Sequence, residues 1–236
     1  MRALDEGRAG ARVPRIHFSF RSPFSWLGLL RLRELVPDLD DRVRFVPFWD
    51  PDPQTDAALA EQDAGFHYVQ MSKAKHLYIL QDTRRQAARL GVTMRWPIDD
   101  DPWWEVPHLA WLAAQRLGRG REFYDEVCAA RWERGEDVCV PEAVRAIAGR
   151  LGLPAAIADA TGDPDIRAEA TRCLVAAYHD DIFGIPYFRV GPHRYWGLDR
   201  VESFAEALLA RADPPAEPRP PVPAGAYDTD TAGGCG

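Results

Sequence analysis

Strand-like and helix-like segments follow one another along this chain in an order that few folds can accommodate. Apolar and polar residues alternate over residues 16–20, as in a half-buried strand, and residues 42–49 form a second strand-like run. The helical pattern between them predicts a βαβ unit with two parallel strands. Further strand signals return only after residue 182, and the pattern from residue 53 to about 182 is helical.

Glycine, proline and aspartate residues mark the predicted helix boundaries in this central block. The pattern predicts helices over residues 67–90, 104–117, 121–134, 141–151 and 164–180. Strands at 187–190 and 194–196 follow, joined by a Gly191-Pro192 turn, and then a last helix from residue 199 to about 210. The order βαβ, helical block, ββα indicates an α/β domain with a large all-helical insertion.

The expected domain organisation follows from the same pattern. We expect a flexible lead over residues 1–14, one α/β domain built from residues 15–52 and 183–212, and the helical insertion over residues 53–182. Residues 213–236 are rich in Pro, Gly, Ala and Asp, with almost no large apolar side chains. Such a segment cannot bury enough surface to offset the entropy of ordering, so we expect a disordered tail.

Charge and hydropathy exclude several classes of protein. The net charge of −7 argues against non-specific nucleic-acid binding, which depends on an excess of Lys and Arg. No apolar run approaches the roughly 20 residues needed to cross a bilayer. Residues 1–15 lack the apolar core of a secretory signal. We therefore expect a cytoplasmic protein with neither a nucleic-acid nor a membrane partner.

The four cysteines form no recognisable redox or metal motif. Cys128, Cys139, Cys173 and Cys235 are far apart, without a Cys-x-x-Cys pair or a Cys/His cluster of zinc-ligand spacing. We expect reduced, mostly structural thiols, and the sequence gives Cys235 no evident role. The acidic run of Asp99, Asp100 and Asp101 lacks the His or spaced Glu of a metal site, so we interpret it as a solvated loop and expect no metal.

A serine and a proline stand at the expected start of the first helix. Ser22 is a favourable N-cap, and Pro23 is a favourable first residue because proline lacks the amide that would be unpaired there. Helix starts carry free amides and about half a positive charge, which stabilise an anion such as a thiolate. Ser22 could donate a further hydrogen bond to such an anion, or it could act only as the cap.

Two later segments could meet this helix start. Pro186 precedes a strand and could be a plain loop proline or part of a cis turn. If the Ile185-Pro186 bond is cis, the backbone of Ile185 faces outward and can pair with an extended, peptide-like ligand. Asp199 could cap the last helix, or that helix start could hold a ligand carboxylate with Arg200 nearby.

Four stretches of the sequence occur together, in the same order, in a known family. They are the opening strand with residues 22–25, residues 73–92, Trp96-Pro97, and the paired segments 183–186 and 196–200. On these stretches, which span roughly residues 15–210, the chain resembles the 2-hydroxychromene-2-carboxylate isomerases and the related kappa-class glutathione transferases. The resemblance implies a thioredoxin-like fold with a DsbA-like helical insertion.

The resemblance also implies an activity, a cofactor and a set of binding residues. The enzyme would be an isomerase or transferase in which the thiolate of glutathione, or of an equivalent low-molecular-weight thiol, adds reversibly to a small aromatic-derived conjugated substrate. Ser22 would face the sulfur, Ile185 and Pro186 would bind the thiol's backbone, and Asp199 with Arg200 would hold its glutamyl end. Relatives are commonly dimers, so a homodimer is expected.

The residues after Trp96-Pro97 depart from the small and amide-bearing side chains that are usual in the family. Trp103 and Trp104 could line an aromatic pocket or pack beneath the loop. The other pocket candidates are Phe24, Ser25, Lys75 and Tyr78.

An alternative function uses the same fold without a thiol. The chain could be a DsbA-like tailoring enzyme or peptide-binding protein of a natural-product pathway, with a peptide substrate paired to the strand edge near Pro186. Disulfide exchange is disfavoured, because Ser22 and Ser25 stand where a redox motif carries its two cysteines.

Overall fold

Four short strands form one mixed sheet in the computed structural model, which describes residues 13–67 and 71–211. The strands are β1 (Arg15–Phe18), β2 (Arg44–Pro47), β3 (Tyr187–Val190) and β4 (His193–Trp196), in the spatial order β2-β1-β3-β4. β1 runs parallel to β2 and antiparallel to β3, which pairs antiparallel with β4. The parallel pair is the βαβ unit that the sequence predicts.

The described residues contain nine α-helices. They are α1 (Pro23–Leu35), α2 (Leu39–Arg42), α3 (Pro53–Ala60), α4 (Lys73–Arg89), α5 (Glu105–Arg116), α6 (Gly120–Cys128), α7 (Pro141–Leu151), α8 (Pro164–His179) and α9 (Val201–Ala210). A π-helical stretch, Ala129–Arg134, continues α6, and 3-10 segments cover Ala155–Gly162 and Leu198–Arg200. α3 to α8 lie between β2 and β3, which confirms an α/β fold with an inserted helical block.

Two predicted helix starts are wrong. α4 begins at Lys73 rather than at residue 67, because the Ser72 hydroxyl caps it by accepting from Lys75 N at 3.2 Å. α9 begins at Val201 rather than at residue 199, because residues 198–200 form a 3-10 turn. Asp199 therefore does not cap the last helix.

Several other predictions fall wholly or partly outside the described residues. These are most of the lead (residues 1–12), residues 68–70 of the predicted long helix, the tail over residues 213–236, and Cys235.

Aromatic rings join the sheet to the inserted helices. The Phe18 ring meets Trp111 of α5 at 4.9 Å and Tyr124 of α6 at 5.1 Å, both edge to face. On β3, Phe188 stacks on Phe204 of α9 at 4.9 Å. Edge-to-face and offset ring pairs add to the free energy gained by burying these large side chains. The insertion therefore shares a core with the strand that leads into α1.

Candidate functional site

Ser22 holds the start of α1. Its backbone is extended, its Oγ accepts a hydrogen bond from Ser25 N at 3.2 Å, and Pro23 opens the first turn. The predicted cap is therefore confirmed. The same hydroxyl donates to the carbonyl oxygen of Ile185 over a long 3.4 Å, and Ser22 is only half-buried. The hydroxyl thus lies between the helix start and the loop before β3.

The first turn of α1 offers a backbone donor beside this hydroxyl. Ser25 N and Trp26 N bond back to the Ser22 carbonyl, and Pro23 has no amide hydrogen. The N–H of Phe24 has no acceptor among the described residues. A free amide at the positive end of a helix favours an anion, and Phe24 N–H shares this corner with the Ser22 hydroxyl.

The loop before β3 packs onto this corner. The Ile185-Pro186 bond is cis, as one reading of the sequence predicts. The Pro186 carbonyl accepts from Gly197 N at 3.0 Å, which joins the loop to the end of β4. Pro186 also lies against Gly28 of α1, where an added Cβ would come within 3.5 Å of its ring. An added Cβ would make only ordinary van der Waals contact there, so this packing does not by itself require glycine at position 28.

The segment after β4 lies on the same side of the molecule. Gly197 turns the chain at φ 94°, a conformation that favours glycine, and the Leu198 side chain reaches Gly28 of α1. Asp199 and Arg200 pair with each other at 2.6 Å, with side chains 72% and 56% exposed. Both charges are therefore accessible beside α1, and their binding of a thiol's glutamyl end stays a prediction.

A surface cleft of about 460 Å³ opens near the residue that precedes Ser22. Residues 50–53, after β2, form one wall, and residues 101–105, at the start of α5, form the other. Asp50 in the first wall is ion-paired with Arg21. Trp103 is 39% exposed and donates its Nε1–H to Asp52 at 3.1 Å, whereas Trp104 is almost fully buried. Both tryptophans line the cleft, and Trp104 also packs beneath it.

The four other pocket candidates do not line this cleft. Ser25 is fully buried, and its Oγ accepts from Ser19 N at 3.2 Å; it belongs to the packed interior, and its assignment to a pocket is wrong. Lys75 and Tyr78 lie on the exposed part of α4 and do not border the cleft. Phe24 is half-buried at the helix start.

A buried histidine holds the segment that leads into α1. His108 Nδ1 donates to the Trp104 carbonyl at 2.7 Å, and Nε2 accepts from Phe20 N at 3.1 Å. Burial lowers the pKa of His108 to about 3, so the ring is neutral with its proton on Nδ1. No local pattern in the sequence pairs residues 20 and 108, so this link could not have been predicted.

A buried arginine holds the acidic loop. Both oxygens of Asp99 accept from the Arg131 fork at 2.8 Å, and the Arg131 side chain is only 1% exposed. Its guanidinium lies 4.7 Å from the Trp104 ring and 4.6 Å from the Trp132 ring. Asp99, Asp100 and Asp101 are all exposed, which agrees with the interpretation of this run as a solvated loop, and Asp99 is in addition paired with Arg131. The part of the chain that the structure describes groups no three His, Cys, Asp or Glu side chains that could hold a metal ion.

The described cysteines are poor nucleophiles. Burial raises the pKa of the Cys173 thiol to about 12, and it also raises the pKa values of Cys128 and Cys139.

None of the helices described is both long and apolar enough to pass through a membrane.

The chain is similar in sequence to known proteins. A family model described as a DSBA-like thioredoxin domain matches residues 15–209. A 2-hydroxychromene-2-carboxylate isomerase from Sphingobium xenophagum is 26% identical over 198 residues, covering 82% of this chain and 96% of that protein.

Solved structures show the same fold. A 2-hydroxychromene-2-carboxylate isomerase superposes with a TM-score of 0.65 at 21% identity, covering 84% of this chain and 97% of that one. The cytosolic disulfide reductase DsbM from Pseudomonas aeruginosa, solved with GSH, has a TM-score of 0.54 at 15% identity, covering 84% and 95%. Because the family model spans well over half of its residues, this chain belongs to the DSBA-like thioredoxin domain family.

Proposed function

We propose that this protein is an isomerase or transferase that uses glutathione, or an equivalent low-molecular-weight thiol, to act on a small aromatic-derived conjugated substrate. The observation that carries the proposal is the Ser22 hydroxyl, which lies between the start of α1 and the carbonyl of Ile185. Two relatives support it: the isomerase that aligns over 82% of this chain, and the disulfide reductase solved with GSH.

The residues at this corner fit a bound thiol. The Ser22 hydroxyl contacts Ile185 O only at 3.4 Å, so its proton can turn towards a better acceptor. Phe24 N–H has no acceptor among the described residues and adds a second donor. Asp199 and Arg200 are exposed at the same end of the molecule, where they could meet the amino and carboxylate groups of the thiol's glutamyl end.

When bound, glutathione would supply a thiolate nucleophile for reversible addition to a conjugated carbon, which frees rotation about a former double bond. Ser22 would hold the sulfur and keep its charge by hydrogen bonding, and the positive end of α1 would add to this effect. Serine in place of cysteine cannot form a disulfide with the thiol, which favours repeated turnover. The cleft between residues 50–53 and 101–105 would receive the flat substrate against Trp103.

We also propose that the enzyme works in the cytoplasm as a homodimer. The cytosolic relative supports the location, and a reducing compartment suits a chain whose described cysteines are unpaired. Equilibrium sedimentation of the purified protein would test the dimer.

Thiol-dependent turnover of 2-hydroxychromene-2-carboxylate, the compound named in the relative, is the test of this function. We expect turnover with glutathione and a loss of a hundredfold or more in kcat/KM for Ser22→Ala, as for other preorganised donors. Ser72→Ala is the matched control, since Ser72 caps α4 through the same type of bond. Each substitution removes one N-cap, worth about 1 kcal/mol, but only the first should impair catalysis.

Two outcomes would contradict the proposal. Full activity of Ser22→Ala would show that the hydroxyl does not contribute to catalysis. Absence of binding by any low-molecular-weight thiol, together with tight binding of a peptide, would favour a thiol-independent protein instead.

A further inference from the structure

Arg131 is an unusual residue to find in the interior, because its charge meets a single carboxylate from an irregular segment. Its side chain is 1% exposed and lies against the rings of Trp104 and Trp132. Both Nη atoms donate to Asp99, while Nε has no partner among the described residues. A guanidinium presents a planar fork that matches a carboxylate, so the arrangement is a complete carboxylate site.

The occupant of this site comes from an irregular stretch of chain. Residues 92–103 between α4 and α5 form neither helix nor strand. Ile98, next to Asp99, is 90% exposed, and Asp100 on the other side is exposed. Asp101 adopts φ 47°, which is rare for a residue other than glycine. Asp99 can therefore leave the fork for solvent without disturbing a regular element.

The fork borders the proposed substrate site. Trp104, which covers one side of the guanidinium, also lines the cleft. Trp132, which is next to the guanidinium as well, stacks near Trp26 of α1 at 6.3 Å. Arg21, the residue before Ser22, is ion-paired with Asp50 in the other wall of the cleft.

We propose that the Arg131 fork is a binding site for the carboxylate of a flat, conjugated acid, and that Asp99 is its internal occupant, displaced when the acid binds. This assignment rests on the proposed function, because the acid would be the enzyme's substrate. The two tryptophan rings pack against the guanidinium and hold it in place, so the fork stays set for an incoming carboxylate when Asp99 leaves. Occupation of the fork by Asp99 sets the affinity for such acids, since every binding event must break the Asp99 contact.

Calorimetric titration with trans-cinnamate, in the absence of any thiol, tests whether cinnamate displaces Asp99 from the Arg131 fork. Asp99→Asn removes the competing carboxylate and should bind cinnamate at least tenfold more tightly than the unaltered protein. Asp100→Asn makes the same change of charge at an exposed neighbour and should bind like the unaltered protein. Asp99→Asn and the unaltered protein should bind neutral cinnamamide with the same affinity. Arg131→Lys, which keeps the charge but loses the fork, should bind cinnamate poorly.

A second measurement uses the unaltered protein, in case Asp99→Asn does not fold. Saturating cinnamate should shift the side-chain carboxyl 13C resonance of Asp99, because that carboxylate leaves the Arg131 fork. An unchanged Asp99 carboxyl resonance, or equal cinnamate affinity of folded Asp99→Asn and Asp100→Asn, would overturn the proposal.

Glutathione itself carries carboxylates, so it is titrated in parallel. A tenfold gain in Asp99→Asn for glutathione but not for cinnamate would mean that the fork binds the thiol, which also overturns the proposal. If cinnamate displaces Asp99 but glutathione does not bind, the result supports the fork assignment and contradicts the proposed thiol-dependent function.

Discussion

Two imidazole rings are held neutral in the interior, and both belong to the region that leads into α1. Burial lowers the pKa of His17 to about 3, against an opposing effect of Asp180, and neither of its ring nitrogens has a hydrogen-bond partner among the described residues. Burial lowers the pKa of His108 to about 3 as well, although its two nitrogens are fully engaged. These rings are structural, and neither serves as an acid or base at neutral pH.

The two histidines predict a pH-dependent stability. In the unfolded chain each ring takes up a proton below about pH 6.5, whereas the folded protein does not protonate them until about pH 3. The unfolded state binds more protons in between, so the free energy of unfolding falls as the pH falls from 6.5 towards 3. Between pH 7.5 and 5 each ring should contribute a loss of roughly 2 kcal/mol.

Urea unfolding at several pH values measures this loss. His17→Leu removes an imidazole without a described partner and should roughly halve the slope of stability against pH. His193→Leu, on the exposed edge strand β4, is the matched control and should leave the slope as it was. The same slope in all three proteins would contradict the account.

One aspartate connects three elements. Asp52 caps α3 by accepting from Thr55 N at 2.8 Å, and both of its oxygens accept from Arg167 of α8, at 3.0 and 3.3 Å. Trp103 at the cleft donates to the same carboxylate. Burial would raise the pKa of Asp52, but the hydrogen bonds from Arg167, Thr55 N and Trp103 outweigh it and lower the pKa to about 2. The cleft wall is therefore tied to the inserted helices.

Removal of the Asp52–Arg167 ion pair should lower the free energy of unfolding by an amount that depends on pH. Arg167→Met should cost about 1–3 kcal/mol at pH 6, because it leaves Asp52 without its charged partner. The difference from the unaltered protein should shrink as the pH falls from about 4 towards 2, where Asp52 becomes protonated and the pairing is lost. Arg194→Met, which breaks an exposed pair with Asp181, should cost less than about 1 kcal/mol. A constant Arg167→Met deficit across this range, measured by urea unfolding, would contradict this assignment.

Local signals in the sequence predict the helices and strands well, but they do not predict the long-range contacts between side chains. Ser22-Pro23 specifies the start of α1, and Pro141 and Asp163-Pro164 specify α7 and α8, because caps act within a few residues. The Asp99–Arg131 fork joins side chains 32 positions apart, and no periodicity encodes that pairing. Asp199 looks like a cap in sequence, but the chain closes a 3-10 turn there first.

At the scale of the whole molecule, the described part of the chain carries a serine at the start of α1 and keeps its cysteines away from it. The three described cysteines are free and buried, and none belongs to the helix start, where Ser22 stands. The family's fold is retained, with the helix start, the cis-proline loop and the turn after β4 packed around Gly28. None of the three described cysteines could therefore supply the nucleophilic sulfur of the proposed mechanism, in which that sulfur belongs to a bound thiol.

Thiol accessibility checks this view of the chain. In a Cys235→Ser variant, which leaves only the three described cysteines, Ellman's reagent should react slowly with the native protein, because burial raises all three pKa values. Denaturant should release three equivalents. Rapid reaction of any thiol in the native state would contradict the burial on which this prediction depends.

The pKa of the thiol of enzyme-bound glutathione is the most direct measure of what Ser22 does, and ultraviolet absorbance of the thiolate reports it during a pH titration. The account predicts a pKa below that of free glutathione in the unaltered protein and in Ser72→Ala. In Ser22→Ala the pKa should rise by about one unit or more, since a hydrogen bond to a charged group contributes about 1.5–3 kcal/mol. An equal thiol pKa in the unaltered protein and in Ser22→Ala would contradict the central claim.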